Sequence, residues 1–279
     1  MAFGGENAES YYDDGLTASK KGDLKKAIEC FERAIRLDSS YAVAYHQLGK
    51  CYMRLGQAQR AVDILLQVVR KRPNLGPARL DLGLALLAAG NTRSARREFE
   101  QLYGLDPSNA RALLGLAQCA FNEGDWVSAM QQARGALLTG GSNFSALYLA
   151  GRAAKLAGDD VTAKESLDAA EKVLQKSIEI QPDQPESHFL RGEVCFVRGE
   201  LASALEHYRA ADDRTDGKEP DKVYTAFGEN FSQVDIWAKL GLCYQRLGKL
   251  DRAAEVGRRI LSRDPNHKLG AALAELGTS

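Results

Sequence analysis

The chain has 279 residues, 44% of them hydrophobic, and its 37 Lys and Arg residues balance its 37 Asp and Glu residues. A net charge of zero gives no general attraction to nucleic acid or to an anionic membrane, so any such contact would have to be local. The first ten residues include Glu6 and Glu9 and no apolar run. We therefore expect neither a signal peptide nor a membrane anchor, and a mature chain that starts here and stays soluble.

A pattern of small residues recurs about every 34 residues from residue 8 almost to the end. Each copy has a small residue, then a turn glycine, then an alanine, as at Gly49, Gly56 and Ala61. The turn glycine marks a place where one helix stops and the chain reverses. A proline or small polar residue closes the second helix, as Pro73 does in this copy. Each copy is therefore predicted to be a helical hairpin.

Seven hairpins are predicted in chain order, after an N-terminal tail (1–7) and before a capping helix (268–279). Because stacked repeats need no single central core, we expect one elongated domain. An insertion (212–233) separates the last two hairpins. The predicted repeats are 8–41, 42–75, 76–109, 110–143, 144–184, 185–218 and 234–267.

The fifth repeat is longer than the others. Its apolar residues Ala163 and Leu167 are followed seven residues later by Ala170 and Leu174, before the helix ends near Pro182. Seven residues are about two helical turns, so the apolar face keeps its direction. We predict one long second helix near 160–180 that projects from the stack, either as a harmless extension or as a docking element.

The insertion has two different halves. Residues 212–220 have the composition of a solvated loop. Tyr224, Phe227 and Phe231 follow at i, i+3 and i+7, a helical spacing that puts three rings on one face. These rings either cover apolar surface of the sixth and seventh repeats, or bind a partner or the chain's own groove. They are the predicted secondary interface.

The cysteines are predicted to be buried free thiols. Cys51, Cys119 and Cys243 share one repeat position, and Cys195 is one residue away from it. Equivalent positions of stacked helices lie at least about 9 Å apart, beyond the reach of a disulfide. A reducing compartment, the cytoplasm, is expected.

No catalytic or metal-binding arrangement is visible in the sequence. The histidines are scattered over different repeats without a Cys or carboxylate partner at a suitable spacing, and no CxxC pair is present. Motifs for a phosphate loop, a dinucleotide fold, a zinc protease or a nucleophile elbow are also missing. We expect no enzyme activity, no metal and no cofactor. The histidines are His46, His188, His207 and His267.

The last repeat carries a family resemblance in the run Trp237, Leu240, Gly241, Tyr244, Gly248, Ala253 and Pro265. This run resembles the tetratricopeptide repeat consensus, and the second copy matches nearly as well, with Tyr45, Leu48, Gly49, Tyr52, Ala61 and Pro73. The resemblance covers roughly residues 8–267. It implies an all-α fold, a right-handed superhelical solenoid of about seven hairpins plus a C-terminal capping helix, whose first helices line a concave groove.

The family's geometry also implies which side chains face that groove. They are Tyr12, His46, Lys50, Met53, Leu80, Leu84, Leu87, Arg111, Leu114, Phe121, Tyr148, Arg152, Phe189 and Phe196. Most of the middle is apolar and its rim is basic, which favours a protein segment with apolar anchors and acidic flanks. The alternative is that neighbouring helices cover some of these residues.

The resemblance implies a scaffold or adaptor that binds a protein or peptide in this groove. The Lys and Asn pattern of the family's carboxylate clamp and its ladder of groove asparagines are both absent, so recognition should rest on side-chain burial. Leu, Phe and Tyr stand where RNA-reading repeats need polar residues, so we expect no nucleic-acid partner and no direct membrane insertion. Uneven charge along the chain allows self-association. The alternative function is a structural subunit that uses its outer surface, the long helix near 160–180 and the insertion 212–233.

Overall fold

The computed structural model describes residues 7–140, 143–215, 222–227 and 229–277. These residues form fifteen α-helices, one pair of short strands and a short 3-10 helix, which confirms the all-α prediction of consecutive helical hairpins. They belong to two compact units, Met1–Gly140 (unit 1) and Gly141–Ser279 (unit 2). Most of the predicted N-terminal tail, part of the insertion (216–221 and 228) and the end of the predicted cap (278–279) lie outside the described residues.

Unit 1 consists of four helical hairpins. Their first and second helices are α1 (Ala8–Lys20) and α2 (Leu24–Leu37), α3 (Ala42–Arg54) and α4 (Ala58–Lys71), α5 (Gly76–Ala88) and α6 (Thr92–Leu105), and α7 (Ala110–Asn122) and α8 (Trp126–Gly140). The first helices of successive hairpins contact one another and form one layer. We call the side of this layer that is turned away from the second helices the inner face.

Unit 2 contains three further hairpins and a cap. The hairpins are α9 (Phe144–Ala157) and α10 (Asp160–Ile180), α11 (Pro185–Arg198) and α12 (Leu201–Asp212), and α13 (Gln233–Arg246) and α14 (Leu250–Arg263). The cap is α15 (Lys268–Ala274) with the 3-10 helix Glu275–Gly277, and it packs against α13 and α14. With 21 residues, α10 confirms the predicted long second helix.

In most hairpins the recurring small residue of the first helix makes room for a large side chain of the second helix. A Cβ atom at Gly83 would lie 2.5 Å from the ring of Phe99, and one at Gly192 would lie 2.6 Å from the ring of Tyr208. Both rings are fully buried. The two helices of a hairpin approach this closely because the small residue offers no side chain, and the ring fills the space.

Each hairpin reverses at a glycine in the left-handed region. Gly158, at φ 80°, ends α9, and its N–H donates to the carbonyl oxygens at the end of that helix. Residues with a side chain are strained at this φ, which explains the recurrent turn glycine.

The insertion forms a β-hairpin, so the helical interpretation of its aromatic spacing was wrong. Strand β1 (Tyr224–Ala226) pairs antiparallel with β2 (Glu229–Phe231), and Tyr224 lies directly opposite Phe231. Their rings stack with centroids 5.5 Å apart. Phe227 occupies the turn, at φ 53°. A spacing of seven residues thus places two rings side by side across strands as well as along a helix.

Candidate protein-binding faces

The inner face of unit 1 carries a row of apolar side chains. On α5, Leu84 is 37% exposed and Leu87 is partly buried, and these residues lie one turn apart on the same side. On the neighbouring helix α7, Leu114 and Phe121 are also partly buried. Leu80 departs from the prediction, because it is buried in the core cluster of unit 1 and offers little surface. The remaining row is accessible.

A polar contact crosses this face between α3 and α5. His46 Nε2 lies 2.8 Å from Asp81 Oδ2, and both side chains are mostly buried. His46 is therefore not a free groove residue, since the carboxylate of the next repeat holds it. Lys50, one turn along α3, is exposed, while Met53 packs against the core cluster.

Two further predicted groove residues of unit 1 lie on other parts of its first helices. Tyr12 is partly buried and its ring contacts Phe31 and Tyr41, with centroids 5.8 and 5.3 Å away. Arg111 on α7 is exposed. Lys50 on α3 and Arg111 on α7 are thus the exposed basic residues among the predicted groove positions of unit 1.

The inner face of unit 2 is the corresponding side of its first helices α9, α11 and α13. It is aromatic, and the β-hairpin covers it. Phe231 stacks on Phe189 with centroids 4.0 Å apart and ring planes 17° apart. Phe227 contacts Phe144, which in turn stacks on Tyr148. Tyr148 and Phe189 are buried and offer little surface to a partner, which agrees with the alternative that the rest of the chain covers some of the predicted groove residues.

The same contacts decide between the alternatives for the secondary interface. Tyr224 and Phe231 are buried, so they cover the chain's own apolar surface, and β1 and β2 contact α11 and α13 of the sixth and seventh repeats. Phe227 reaches α9 of the fifth repeat and remains partly exposed. The Ser145 hydroxyl donates a hydrogen bond to the Phe227 carbonyl oxygen.

Glu193 on α11 is the centre of a polar cluster on this face. Its carboxylate accepts hydrogen bonds from the hydroxyls of Tyr148 (3.1 Å) and Tyr208 (2.6 Å), and Lys239 Nζ lies 2.7 Å away. Burial and the neighbouring carboxylate raise the pKa of Tyr208, so its hydroxyl stays protonated and donates. This cluster could not be predicted from local sequence patterns, because its members come from four helices.

Cations lie over the remaining aromatic positions of unit 2. The Arg152 guanidinium lies 5.2 Å from the Tyr148 ring centroid. Phe196 has Lys239 at 5.6 Å and Arg246 at 4.3 Å from its ring centroid. The predicted residues Arg152 and Phe196 therefore belong to cation–π pairs rather than to a free rim.

The described residues give no basis for metal or thiol chemistry. No three of their His, Cys, Asp and Glu side chains come together as a metal site. The five cysteines are free, and four are buried. Burial raises the pKa of Cys119 and Cys195 to about 11 and that of Cys243 to about 12, so these thiols stay protonated and unreactive at neutral pH. No helix in the described part of the chain has the length and apolar character to span a membrane.

Sequence comparison finds tetratricopeptide repeats along most of the chain. Models described as tetratricopeptide repeat match residues 43–74, 80–146, 156–219 and 234–267, and a model described as TPR repeat matches 15–56. These matches include both units.

Individual relatives are similar to this chain at low sequence identity. The antiviral innate immune response effector IFIT1 of Homo sapiens is 23% identical over 213 residues, which are 69% of this chain and 42% of the relative. The DnaJ homolog subfamily C member 3 of Rattus norvegicus is 23% identical over 265 residues, 94% of this chain and 44% of the relative. This chain thus spans less than half the length of either. A tetratricopeptide repeat protein from Parabacteroides merdae has a TM-score of 0.67 and 17% identity, with 99% of this chain and all of that chain covered.

Proposed function

Because the chain belongs to the tetratricopeptide repeat family, whose members are generally protein-interaction scaffolds, we propose that it binds a segment of a partner protein on the inner face of unit 1 and catalyses no reaction. The observation that carries this proposal is the accessible apolar row, with Leu84 37% exposed on α5 and Leu114 partly buried on the neighbouring helix α7. Apolar side chains that are left accessible in a row are typical of interfaces.

The chemistry of the face defines the partner segment. Leu84 and Leu87 lie one turn apart on α5, and Leu114 and Phe121 lie two turns apart on α7. Their apolar contacts suit the apolar side of an amphipathic helix or an extended segment. Lys50 and Arg111 add positive charge and favour acidic residues beside the apolar anchors. The buried free thiols fit a reducing compartment such as the cytoplasm.

The test is a charge placed in the apolar row. Leu84→Glu should lower the amount of partner captured from a lysate at least tenfold, because the carboxylate would have to be buried against apolar side chains. Leu138→Glu is the matched control, since Leu138 is 89% exposed on the second helix α8. Circular dichroism checks that both variants are folded. Equal capture by both variants would remove the inner face of unit 1 from the proposal.

The second candidate function is a structural subunit that docks through α10. It is favoured by two apolar residues, Val161 and Ile180, that are largely exposed near the two ends of this long helix. The double variant Val161→Glu, Ile180→Glu should then lose its partner while Leu84→Glu retains it. The opposite pattern supports the first function.

A further inference from the structure

The β-hairpin of unit 2 contacts its inner face in the way that a bound partner would. Phe231 lies flat on Phe189, with ring centroids 4.0 Å apart. Phe227 places a second ring on Phe144, and its backbone carbonyl accepts a hydrogen bond from Ser145. Two aromatic anchors and a main-chain hydrogen bond are the contacts by which an extended segment is recognised.

The chain does not need this hairpin to connect its helices. Four residues (106–109) join α6 to α7, and four (181–184) join α10 to α11. The equivalent connection from α12 to α13 occupies residues 213–232. The additional length goes beyond what a hairpin-to-hairpin turn requires, and long connections in compact repeats are commonly functional.

The hairpin has little stability of its own. Each strand has only three residues, and a two-stranded hairpin is at best marginally stable in isolation. The turn residue Phe227 has φ 53°, in the left-handed region that bulky residues rarely adopt. The conformation of the hairpin therefore depends on its aromatic contacts with α9 and α11. The hairpin should open before the helices unfold.

We propose that the hairpin is an internal ligand of unit 2, which occupies the face formed by Phe144 and Phe189 until a partner segment with aromatic anchors displaces it. The partner is an extended protein segment with two aromatic residues, because these replace the rings of Phe227 and Phe231. Arg152, at the Tyr148 ring, adds a cation beside the face. Because the hairpin competes for the same face, the apparent affinity for the partner is the affinity of the open face multiplied by the fraction of molecules in which the face is open.

The probe for this face is a fluorescent peptide with the sequence of residues 222–232, titrated against the full chain by anisotropy. Phe231→Ala removes the main anchor of the hairpin and should bind the peptide at least tenfold more tightly than wild type. Addition of Phe189→Ala to that variant should abolish binding. Tyr103→Ala is the matched control, because this aromatic residue lies partly exposed on α6 in unit 1, and it should bind like wild type.

Two results would overturn the proposal. One is equal or undetectable peptide binding by wild type and Phe231→Ala, and the other is loss of helix content in Phe231→Ala, which would make the hairpin part of the fold. Hydrogen exchange on the intact wild type gives an independent readout. Amides of 224–226 and 229–231 should exchange at least tenfold faster than those of α11 around Leu190. Exchange at the rate of α11 would show that the hairpin does not open separately.

Discussion

The packing of Phe99 predicts opposite effects for the same substitution at two glycines of unit 1. The Phe99 ring is fully buried between α5 and α7. A Cβ atom at Gly115 would lie 2.6 Å from this ring, whereas one at Gly135, in the middle of α8, would meet Leu113 at an ordinary 3.8 Å. Gly115→Ala should therefore destabilise the protein, and Gly135→Ala should stabilise it.

The size of the effect follows from two opposing contributions. Alanine in a helix interior is more stable than glycine by about 0.5–1 kcal/mol, and this gain applies to both variants. At Gly115 the added methyl group overpacks the core, which costs about 1–3 kcal/mol. The ring cannot retreat, because it lies against Gly83 on its other side, where an added Cβ would be 2.5 Å away. We expect the two variants to differ by about 2 kcal/mol in the free energy of unfolding.

Urea unfolding followed by circular dichroism measures this difference. Because stacked repeats need not unfold in one step, hydrogen exchange of α6 and α7 should accompany it and show the loss locally. If Gly115→Ala is as stable as Gly135→Ala, the close contact with Phe99 is relieved without strain, and the argument that the buried ring requires a glycine at this position is refuted.

Two further predictions concern titratable groups. Burial, with a smaller contribution from Arg191, lowers the pKa of His207 below the ordinary 6.5. As the pH falls below about 6.5, the imidazole of His207 is protonated more readily in the unfolded chain than in the folded one. The free energy of unfolding should therefore decrease from pH 7 to pH 5, and it should decrease less in His207→Gln. Urea titrations of wild type and His207→Gln at both pH values check this prediction. An equal loss of unfolding free energy between pH 7 and pH 5 in the two proteins would contradict it. Cys119 has its pKa raised to about 11 by burial, so a thiol reagent at pH 8 should modify it only after unfolding. Rapid reaction of Cys119 in the native protein would contradict its burial.

The succession of helical hairpins could be predicted from the sequence because its signals are local. A turn glycine, a small residue and an alanine lie within one hairpin, so their spacing reports directly on helix length and reversal. The seven extra residues of the fifth repeat were as clear, since Ala163 and Ala170 lie on the same apolar side of α10. The predicted inner-face positions, by contrast, came from the family resemblance.

The exposure of those positions could not be read in the same way. Phe189 is buried under Phe231 of a hairpin that follows much later in the chain, and no local pattern reports such a contact. The polar partners of Glu193 are also remote, since Tyr148 is 45 residues and Lys239 is 46 residues away. In the insertion itself, a seven-residue spacing fitted a helix and a hairpin equally well, and the packing against α11 decided for the hairpin.

The two units differ in how they treat the apolar side chains of their first helices. In unit 1 the apolar side chain of Leu84 is left accessible, and the polar residues His46 and Asp81 satisfy each other. In unit 2 the larger apolar ring of Phe189 is covered by Phe231 of the insertion. Because exposed aromatic surface costs more free energy than an exposed leucine, the unit with the aromatic face is the one that needs a cover. The insertion is therefore matched to the residues beneath it, and removal of Phe189 should weaken the hairpin's contact as much as removal of Phe231.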